Sequence, residues 1–514
     1  MKKKSFLFGT LILIIVNFIV RFLGFAYKIL LSRMIGAEAI GLFHLVFPVL
    51  MTCITFTTAG IPVAVSKLVA KNISLGNKRG CNKILFLSLL FGVIICALLS
   101  FSLLYFASFI STSIIKNTDT YYSIIALIPA IFLITLSSIF RGYYYGIQDV
   151  ATAGTSQIME QFVRIIFVLG FLSLLQSLEP KYAAVIAVIG ISLGELTGFL
   201  WLLFRFKFGE ALHLRKTYFV LREGSLKILA SVILIAVPIT TSRLIGVMMQ
   251  TVNAVLIPQK LEQAGYSSQQ AIAAFGKLSG MAMPLLFLPF IVTSALVVNI
   301  IPSLSEEIAV KNWTSIGLKS SIAIRMTLLI SIPLSAVFIF FAAPICDLIY
   351  NEPEVGMYLS LLSFSVIFLS LQHTLSGILH GIGKEVRATA NYLIGMSLQL
   401  FCTLYLVPNP SFGVNGFILG FILATITISL LNLFTLTRCI KIRIDLTNAV
   451  IKPIMATIIM ILFIVNSHAL LVRNVSRASA LLLSMGIGFF TYIIIILLTG
   501  CLRIKTLQYI LRRQ

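Results

Sequence analysis

Residues 129–164 read PAIFLITLSSIFRGYYYGIQDVATAGTSQIMEQFVR, in which two apolar runs meet at a short polar turn. Glu160 and Arg164 lie four residues apart inside the second run, so they share one face of a helix. Charged side chains inside an apolar helix of membrane-spanning length are costly and mark functional sites. This stretch therefore predicts two transmembrane helices with a charged site on the second of them.

The composition extends this prediction to the whole chain. Of its 514 residues, 59% are hydrophobic and 11% are charged, and the mean hydropathy is +1.06; an average soluble domain has about 25% charged residues. The apolar residues form successive runs of about 18 to 28 residues, each long enough to cross a hydrocarbon core of ~30 Å as a helix. The sequence therefore predicts an all-α integral membrane protein.

The runs and the basic residues between them predict a topology of about fourteen helices. Of the 39 Lys and Arg residues, 27 fall on one set of alternate segments, six on the other set and six within the runs. The positive-inside rule explains the net charge of +23 better than nucleic-acid binding does, and it places both termini in the cytoplasm. The first run has basic residues before and within it and no small-residue cleavage site, which indicates a retained helix. The predicted helices are 6–31, 39–68, 83–108, 121–146, 155–177, 182–204, 226–256, 270–301, 318–343, 355–381, 388–407, 412–437, 449–467 and 478–501.

An internal repeat organises these helices. Gly142, Gly146 and Ile147 recur 235 residues later as Gly377, Gly381 and Ile382, in both places where an apolar run ends at a polar turn. The offset equates the fourth and fifth predicted helices with the tenth and eleventh. We therefore expect two parallel six-helix halves, 1–222 and 223–445, around a central cavity, with two additional helices in 446–514.

A polar stripe marks the first predicted helix. Asn17, Arg21, Gly24 and Lys28 are spaced as on a single helical face. One interpretation is that Arg21 and Lys28 extend to the lipid headgroups. Asn17 is too short to do so, which favours a water-filled cavity lined by this stripe, with Arg33 beyond its end.

The fifth predicted helix repeats this arrangement with Gln157, Glu160 and Arg164 on one face. Glu160 and Arg164 either face the cavity or form a structural ion pair within the helix. Glu195, in the next helix, has three alternatives: a proton or cation site, a counter-charge to an arginine, or a protonated group without a role. Glu160 and Glu195 are thus the candidates for a coupling-ion site.

The seventh predicted helix carries Arg243, Gln250 and Asn253 close to one face and has no acidic residue. Arg243 therefore needs a counter-charge from a neighbouring helix, such as Glu160 or Glu195, or from an anionic cargo. Arg325 lies a little over two turns into the ninth helix and either faces the cavity or extends back to the cytoplasm.

Motifs for chemistry are missing from the sequence. There is no P-loop, nucleophile elbow, kinase signature or H-E-x-x-H. His373 and His380 have no Cys, Asp or Glu at ligand spacing, and the seven cysteines form no C-x-x-C pair. We therefore expect no enzymatic activity, no metal and no cofactor, and a transport process that draws on a gradient.

Six motifs distributed along the chain carry a family resemblance. They are RFLGFAYK at 21–28, AGIPVAVSK at 59–67, FRGYYYGIQ at 140–148, TSQIMEQFVR at 155–164, MAMPLL at 281–286 and SGILHGIGK at 376–384. With these motifs the sequence resembles the stage V sporulation protein B family of the multidrug/oligosaccharidyl-lipid/polysaccharide exporter superfamily. The resemblance extends from residue 6 to beyond residue 430, and one departure is Asn253, where the family often has Asp.

The resemblance implies a flippase that moves an anionic lipid-linked sugar, such as a lipid II-like peptidoglycan precursor, across the cytoplasmic membrane for spore cortex or cell-wall synthesis. Its diphosphate would meet Arg21, Arg243 and Arg164, and the last two helices would hold the lipid tail. Coupling to protons or sodium and contact with cell-wall synthesis proteins are further expectations. The alternatives are a cation-coupled multidrug exporter of the same fold and a non-transporting membrane scaffold for wall synthesis.

Overall fold

The computed structural model describes residues 6–175, 178–208, 225–442 and 445–501, which contain helices and no strand. The chain divides into two compact units, Met1–Gly280 and Met281–Gln514. The first unit contains α1 (Phe6–Thr58), α2 (Ile61–Ser74), α3 (Lys78–Phe109), α4 (Tyr121–Gly146), α5 (Val150–Leu174), α6 (Pro180–Phe208), α7 (Ser225–Gln263) and α8 (Ser268–Gly276). The second contains α9 (Met283–Leu286), α10 (Phe290–Ala309), α11 (Trp313–Tyr350), α12 (Glu354–Leu362), α13 (Val366–Gly381), α14 (Glu385–Tyr405), α15 (Val414–Cys439), α16 (Lys452–Leu471) and α17 (Arg477–Leu498).

Shorter helical segments adjoin these helices. They are the π-helices Ile110–Ile115, Lys277–Ala282 and Thr447–Ile451 and the 3₁₀-helices Thr118–Thr120 and Ser363–Ser365.

The helices confirm an all-α, multi-pass membrane protein. Within the described ranges, ten helices are long and apolar enough to span a membrane, and the bent pair Lys227–Thr241 and Gly246–Gln263 raises this number to eleven. Large apolar side chains on their surfaces are exposed, as expected for contact with lipid; Leu98 and Leu174 are 66% and 80% exposed. The number of fourteen transmembrane helices stays a prediction.

Several predicted runs differ in detail from the helices of the structure. The break predicted between the runs 6–31 and 39–68 is present at Gly36, where two helices meet within α1 without a loop and φ is 74°, in the left-handed region that glycine tolerates. The second of these helices ends at Thr58, and α2 begins at Ile61, inside the run 39–68. The run 270–301 is divided among α8, α9 and α10, and Pro284 and Pro289 stand at the starts of the last two helices. Proline is compatible with a helix start but breaks a helix interior, which explains the division.

The repeat appears in the structure as two turns of the same geometry. After α4, the amide of Gln148 donates to Tyr145 and that of Asp149 to Tyr144; after α13, the amides of Gly383 and Lys384 donate to His380 and Leu379. Gln148 and Gly383 both have positive φ, 62° and 72°. All of these residue pairs are related by the offset of 235.

Packing around the two turns also follows the offset. A Cβ added to Gly142 would lie 2.5 Å from the Pro62 carbonyl oxygen, and one added to Gly377 would lie 2.6 Å from a methyl carbon of Val297. Pro62 and Val297 are themselves 235 residues apart. The turn and its supporting helix, α2 in the first unit and α10 in the second, are therefore built alike. The division at residues 222 and 445 remains a prediction.

Each unit has its own apolar core. In the first unit the core lies among α2, α3, α4, α6 and α7 and includes the fully buried Ile61, Cys81 and Tyr143. In the second unit it lies among α10, α11, α13 and α15 and includes Leu304, Ile316 and Ile378.

The last helix, α17, supplies a hydrogen-bond donor that a proline removes from α11. Pro333 lies inside α11 and cannot donate to the carbonyl oxygen of Leu329, four residues earlier. The buried Tyr492 hydroxyl of α17 donates to this carbonyl oxygen at 2.7 Å. A backbone acceptor freed inside the hydrocarbon region thus finds its partner in the C-terminal helix pair.

Candidate functional site

An ion pair in α5 is the starting point of the candidate site. Asp149 caps α5, accepting a hydrogen bond from the Thr152 amide. Glu160 and Arg164 follow on one face, with Oε1 of Glu160 2.5 Å from Nη2 of Arg164. The local pairing that the i, i+4 spacing offered as one alternative is therefore present.

Arg141 joins this pair from α4. Its Nη2 lies 2.9 Å from Oε2 of Glu160 and 3.3 Å from Oε2 of Glu195 in α6, and its Nε donates to the Ser156 hydroxyl at 3.3 Å. Side-chain exposure is 13% for Arg141, 8% for Glu160, 7% for Glu195 and 14% for Arg164. We call these four residues the buried ion network. It links α4, α5 and α6 and contains two guanidinium groups and two carboxyl groups.

A glycine face on α6 lets these three helices approach closely. Cβ atoms added to Gly194 and Gly198 would lie 2.7 Å from the Glu160 carbonyl oxygen and 3.1 Å from the Ser156 carbonyl oxygen. The Gly198 position is also 3.4 Å from Nη2 of Arg141. Small residues thus bring the α6 backbone against α5, which places Glu195 within reach of Arg141.

A methyl group on this face is expected to disturb the network. We expect Gly194→Ala to lower the free energy of unfolding by about 1–3 kcal/mol, because its Cβ would overlap backbone that cannot move aside. Gly170→Ala in α5 is the matched control, since nothing lies within 4 Å of its added Cβ. The thermal transitions of the two purified variants measure the difference. Equal transitions would contradict close packing at Gly194.

The polar stripe of α1 is exposed apart from its glycine. Asn17, Arg21, Lys28 and Arg33 are exposed, whereas Gly24 faces α5, with its added Cβ 3.8 Å from Oε1 of Gln161. Among the described residues, Arg21, Lys28 and Arg33 form no ion pair with a carboxylate. Arg21, Lys28 and Arg33 are therefore cations without a counter-charge in the part of the chain that the structure describes.

The polar residues of α7 separate into two groups. Arg243 and Gln250 are exposed, whereas Asn253 is 6% exposed and both polar atoms of its side chain have no hydrogen-bond partner. In the structure Glu160 and Glu195 pair with Arg141 and Arg164 instead of Arg243. The carboxylates proposed as partners for Arg243 are thus occupied.

The remaining candidates lie apart from the network. Gln157 donates to the Tyr145 hydroxyl at 3.2 Å and so links α5 to the end of α4. Arg325 belongs to the second unit, where it is half-buried and its Nε has no hydrogen-bond partner. Hydrogen bonds from Asn448 and, to a smaller extent, the charge of Arg325 lower the pKa of Asp445, in the segment before α16.

Arg141 is the residue that the sequence analysis missed. By the positive-inside rule it would be one of the cytoplasmic basic residues, but the structure places it inside α4, half-buried and five residues before the end of the helix. The predicted run 121–146 already included it, and an arginine within an apolar run is a signal for a partner in another helix. Within the described ranges, no group of three or more His, Cys, Asp or Glu residues forms a potential metal site.

Comparison with known proteins identifies the family to which this chain belongs. Residues 6–308 match the model of the family described as "Polysaccharide biosynthesis protein", and residues 263–404 match the MatE model. The first match covers more than half of the chain, so the chain belongs to the polysaccharide biosynthesis protein family.

Individual relatives agree with this family. Stage V sporulation protein B of Bacillus subtilis (strain 168) is 29% identical, over 87% of this chain and 86% of the relative. The lipid II flippase MurJ of the same organism is 24% identical, over 78% of this chain and 77% of the relative. The resemblance to the stage V sporulation protein B family is thus confirmed.

Solved structures show the same fold. The structure of lipid II flippase MurJ in an inward closed conformation has a TM-score of 0.67 at 17% identity, covering 94% of this chain and 97% of that one. An inward-facing multidrug resistance MATE transporter of the MOP superfamily has a TM-score of 0.63 at 17% identity, covering 81% and 93%. The fold of this protein is therefore the one used by transporters of that superfamily.

Proposed function

We propose that this protein is a transporter that moves an anionic lipid-linked sugar, such as a lipid II-like precursor, across the cytoplasmic membrane by alternating access. The cargo would serve spore cortex or cell-wall polysaccharide synthesis. The family, the two relatives and the fold support this proposal. The protein would act without a catalytic group, as a carrier.

One observation carries the choice of an anionic cargo. The first unit neutralises Glu160 and Glu195 with Arg141 and Arg164, whereas Arg21, Lys28, Arg33 and Arg243 are exposed without a carboxylate partner among the described residues. Arginine binds phosphate oxygens bidentately, which suits the diphosphate of a lipid-linked sugar. The exposed cations are the proposed contacts for the headgroup, together with the polar groups of the remaining cavity candidates, Asn17, Gln157, Gln250, Asn253, Arg164 and Arg325.

The architecture proposed with this function is two six-helix halves, 1–222 and 223–445, around a central cavity, followed by two helices in 446–514. Both termini are proposed to be cytoplasmic, following the distribution of Lys and Arg. Glu160 and Glu195 are the proposed groups for coupling to protons or sodium, because each is an ionisable carboxylate held deep among apolar helices.

Cation-coupled multidrug export is the second candidate. The similarity to the MATE transporter favours it. Such an exporter is expected to hold a cationic drug with acidic residues, and both buried carboxylates of the first unit already face arginines. The anionic cargo is therefore the better-supported proposal.

Reconstitution into liposomes tests the two candidates. The purified protein is supplied with labelled lipid II, with a neutral-headed lipid-linked sugar and with a cationic dye, each with and without a proton or sodium gradient. We expect protein-dependent movement of lipid II and none of the dye. Protein-free liposomes measure spontaneous lipid movement. Movement of the dye alone would contradict the flippase proposal.

A further inference from the structure

The two units build the same three-helix junction from different residues. Residues 141 and 156 of the first unit correspond to 376 and 391 of the second by the offset of 235, and they lie on equivalent helices, α4 with α13 and α5 with α14. The third helix, α6 or α15, contributes Glu195 or Asn432, which are 237 residues apart and are therefore not related by this offset. The first junction is thus Arg141, Ser156 and Glu195, and the second is Ser376, Asn391 and Asn432.

The second junction is held together by neutral hydrogen bonds. Nδ2 of Asn391 donates to Oδ1 of Asn432 at 2.9 Å and to the Thr435 hydroxyl at 3.1 Å, and Nδ2 of Asn432 donates to the Ser376 hydroxyl at 3.0 Å. Asn432 is fully buried. A hydroxyl and two carboxamides are therefore sufficient to join the three helices of this repeat.

Charges at the corresponding place in the first unit are thus not required by the helix arrangement. Transferring charged groups out of water is unfavourable, and a buried ion pair is often replaceable by neutral groups without loss of stability. Charged side chains inside membrane helices accordingly occur where they have a function. The comparison between the two units indicates that the helix packing needs hydrogen bonds at this junction and that the charges of the first unit are an addition to them.

We propose that the charges of Arg141 and Glu195 serve transport and not folding, and that Arg141 is the positioning residue that holds Glu160 and Glu195 in one site. This inference deepens the proposed transport function and rests on it. The guanidinium reaches both carboxylates at once, 2.9 Å and 3.3 Å away, and thereby couples α5 to α6 through α4. A change in the charge of Glu160 or Glu195 shifts the contacts of Arg141 towards the other carboxylate, and so from one helix to the other. The junction described in the second unit has neutral hydrogen bonds in place of these contacts.

The second unit supplies the test. The triple variant Arg141→Ser, Ser156→Asn, Glu195→Asn gives the first junction the neutral residue types of the second, and it leaves Glu160 paired with Arg164. We expect it to insert into the membrane with a thermal transition close to that of the wild type and to lose at least about tenfold in lipid II transport. Arg141→Lys retains the positive charge and is expected to transport faster than the triple variant. Ser376→Ala is the matched control, since it changes the corresponding neutral junction and is expected to transport like the wild type.

Three results would overturn the inference. If the triple variant transports lipid II at the wild-type rate, the charges have no role in transport. If the triple variant fails to fold while Ser376→Ala folds, the helix packing requires the charges. Arg141→Lys that is as inactive as the triple variant would contradict the role of the positive charge. If the wild type moves no lipid II, the proposed cargo is wrong, and restoration of spore formation in a host lacking this protein then ranks the same variants.

Discussion

Arg141→Ala is expected to be the most destabilising single substitution in the buried ion network. It would leave Glu195 without a partner at 7% side-chain exposure and Glu160 with Arg164 alone. Removing one partner of a buried ion pair costs about 3–5 kcal/mol, because the remaining charge stays buried and unpaired. This cost comes from leaving one partner behind, whereas the triple variant replaces both partners by neutral groups. We therefore expect little folded Arg141→Ala protein in detergent extracts of membranes, measured by size-exclusion chromatography and a thermal unfolding assay.

The control for this prediction is Arg387→Ala in α14, where the arginine is exposed and forms no ion pair within the described residues. It is expected to behave like the wild type, because exposed charges contribute little to stability. Adding Glu195→Gln to Arg141→Ala removes the unpaired charge and should restore part of the lost yield. Equal yields of Arg141→Ala and Arg387→Ala would contradict the pairing seen in the structure.

Arg21→Ala and Arg243→Ala are expected to have the opposite effect, abolishing transport while the protein remains inserted and folded. Both side chains are exposed and lack a carboxylate partner among the described residues, so their removal leaves no unpaired charge behind. Hydrogen bonds to a charged group are worth about 1.5–3 kcal/mol, which corresponds to roughly 10- to 100-fold in binding of the anionic headgroup.

Transport of labelled lipid II in liposomes measures this effect, with the thermal transition of each variant as the test of folding. Arg387→Ala again serves as the control for loss of one exposed arginine. Normal transport by both Arg21→Ala and Arg243→Ala would eliminate the proposed headgroup contacts. Loss of folded protein in either variant would instead indicate a structural role for that arginine.

The sequence predicted those features that depend on local pattern. The run 121–146 coincides with α4, and the spacing of Glu160 and Arg164 predicted their shared face. The repeat was visible from a few glycines and an isoleucine, and the glycines are needed in both units because α4 packs closely against α2 and α13 against α10.

Features that depend on contacts between distant segments could not be predicted from the local sequence pattern. The pairing of Glu195 was one of three alternatives, since nothing local determines that Arg141, 54 residues earlier, is its partner. The division of 270–301 among three helices arises from backbone geometry within a run whose hydrophobicity is continuous. The hydrophobic pattern of a sequence indicates how long an apolar run is, but it does not indicate where a helix within that run bends.

The hydrogen bond from Tyr492 to Leu329 makes the C-terminal helices important for α11 in any shortened form of the protein. A chain shortened before α17 would expose a carbonyl oxygen of α11 to hydrocarbon, where no solvent replaces the missing donor. The helix pair α16 and α17 therefore stabilises α11 at the point where Pro333 removes a backbone hydrogen bond. Removing it would alter the stiffness of α11 even if every residue that contacts the cargo were retained.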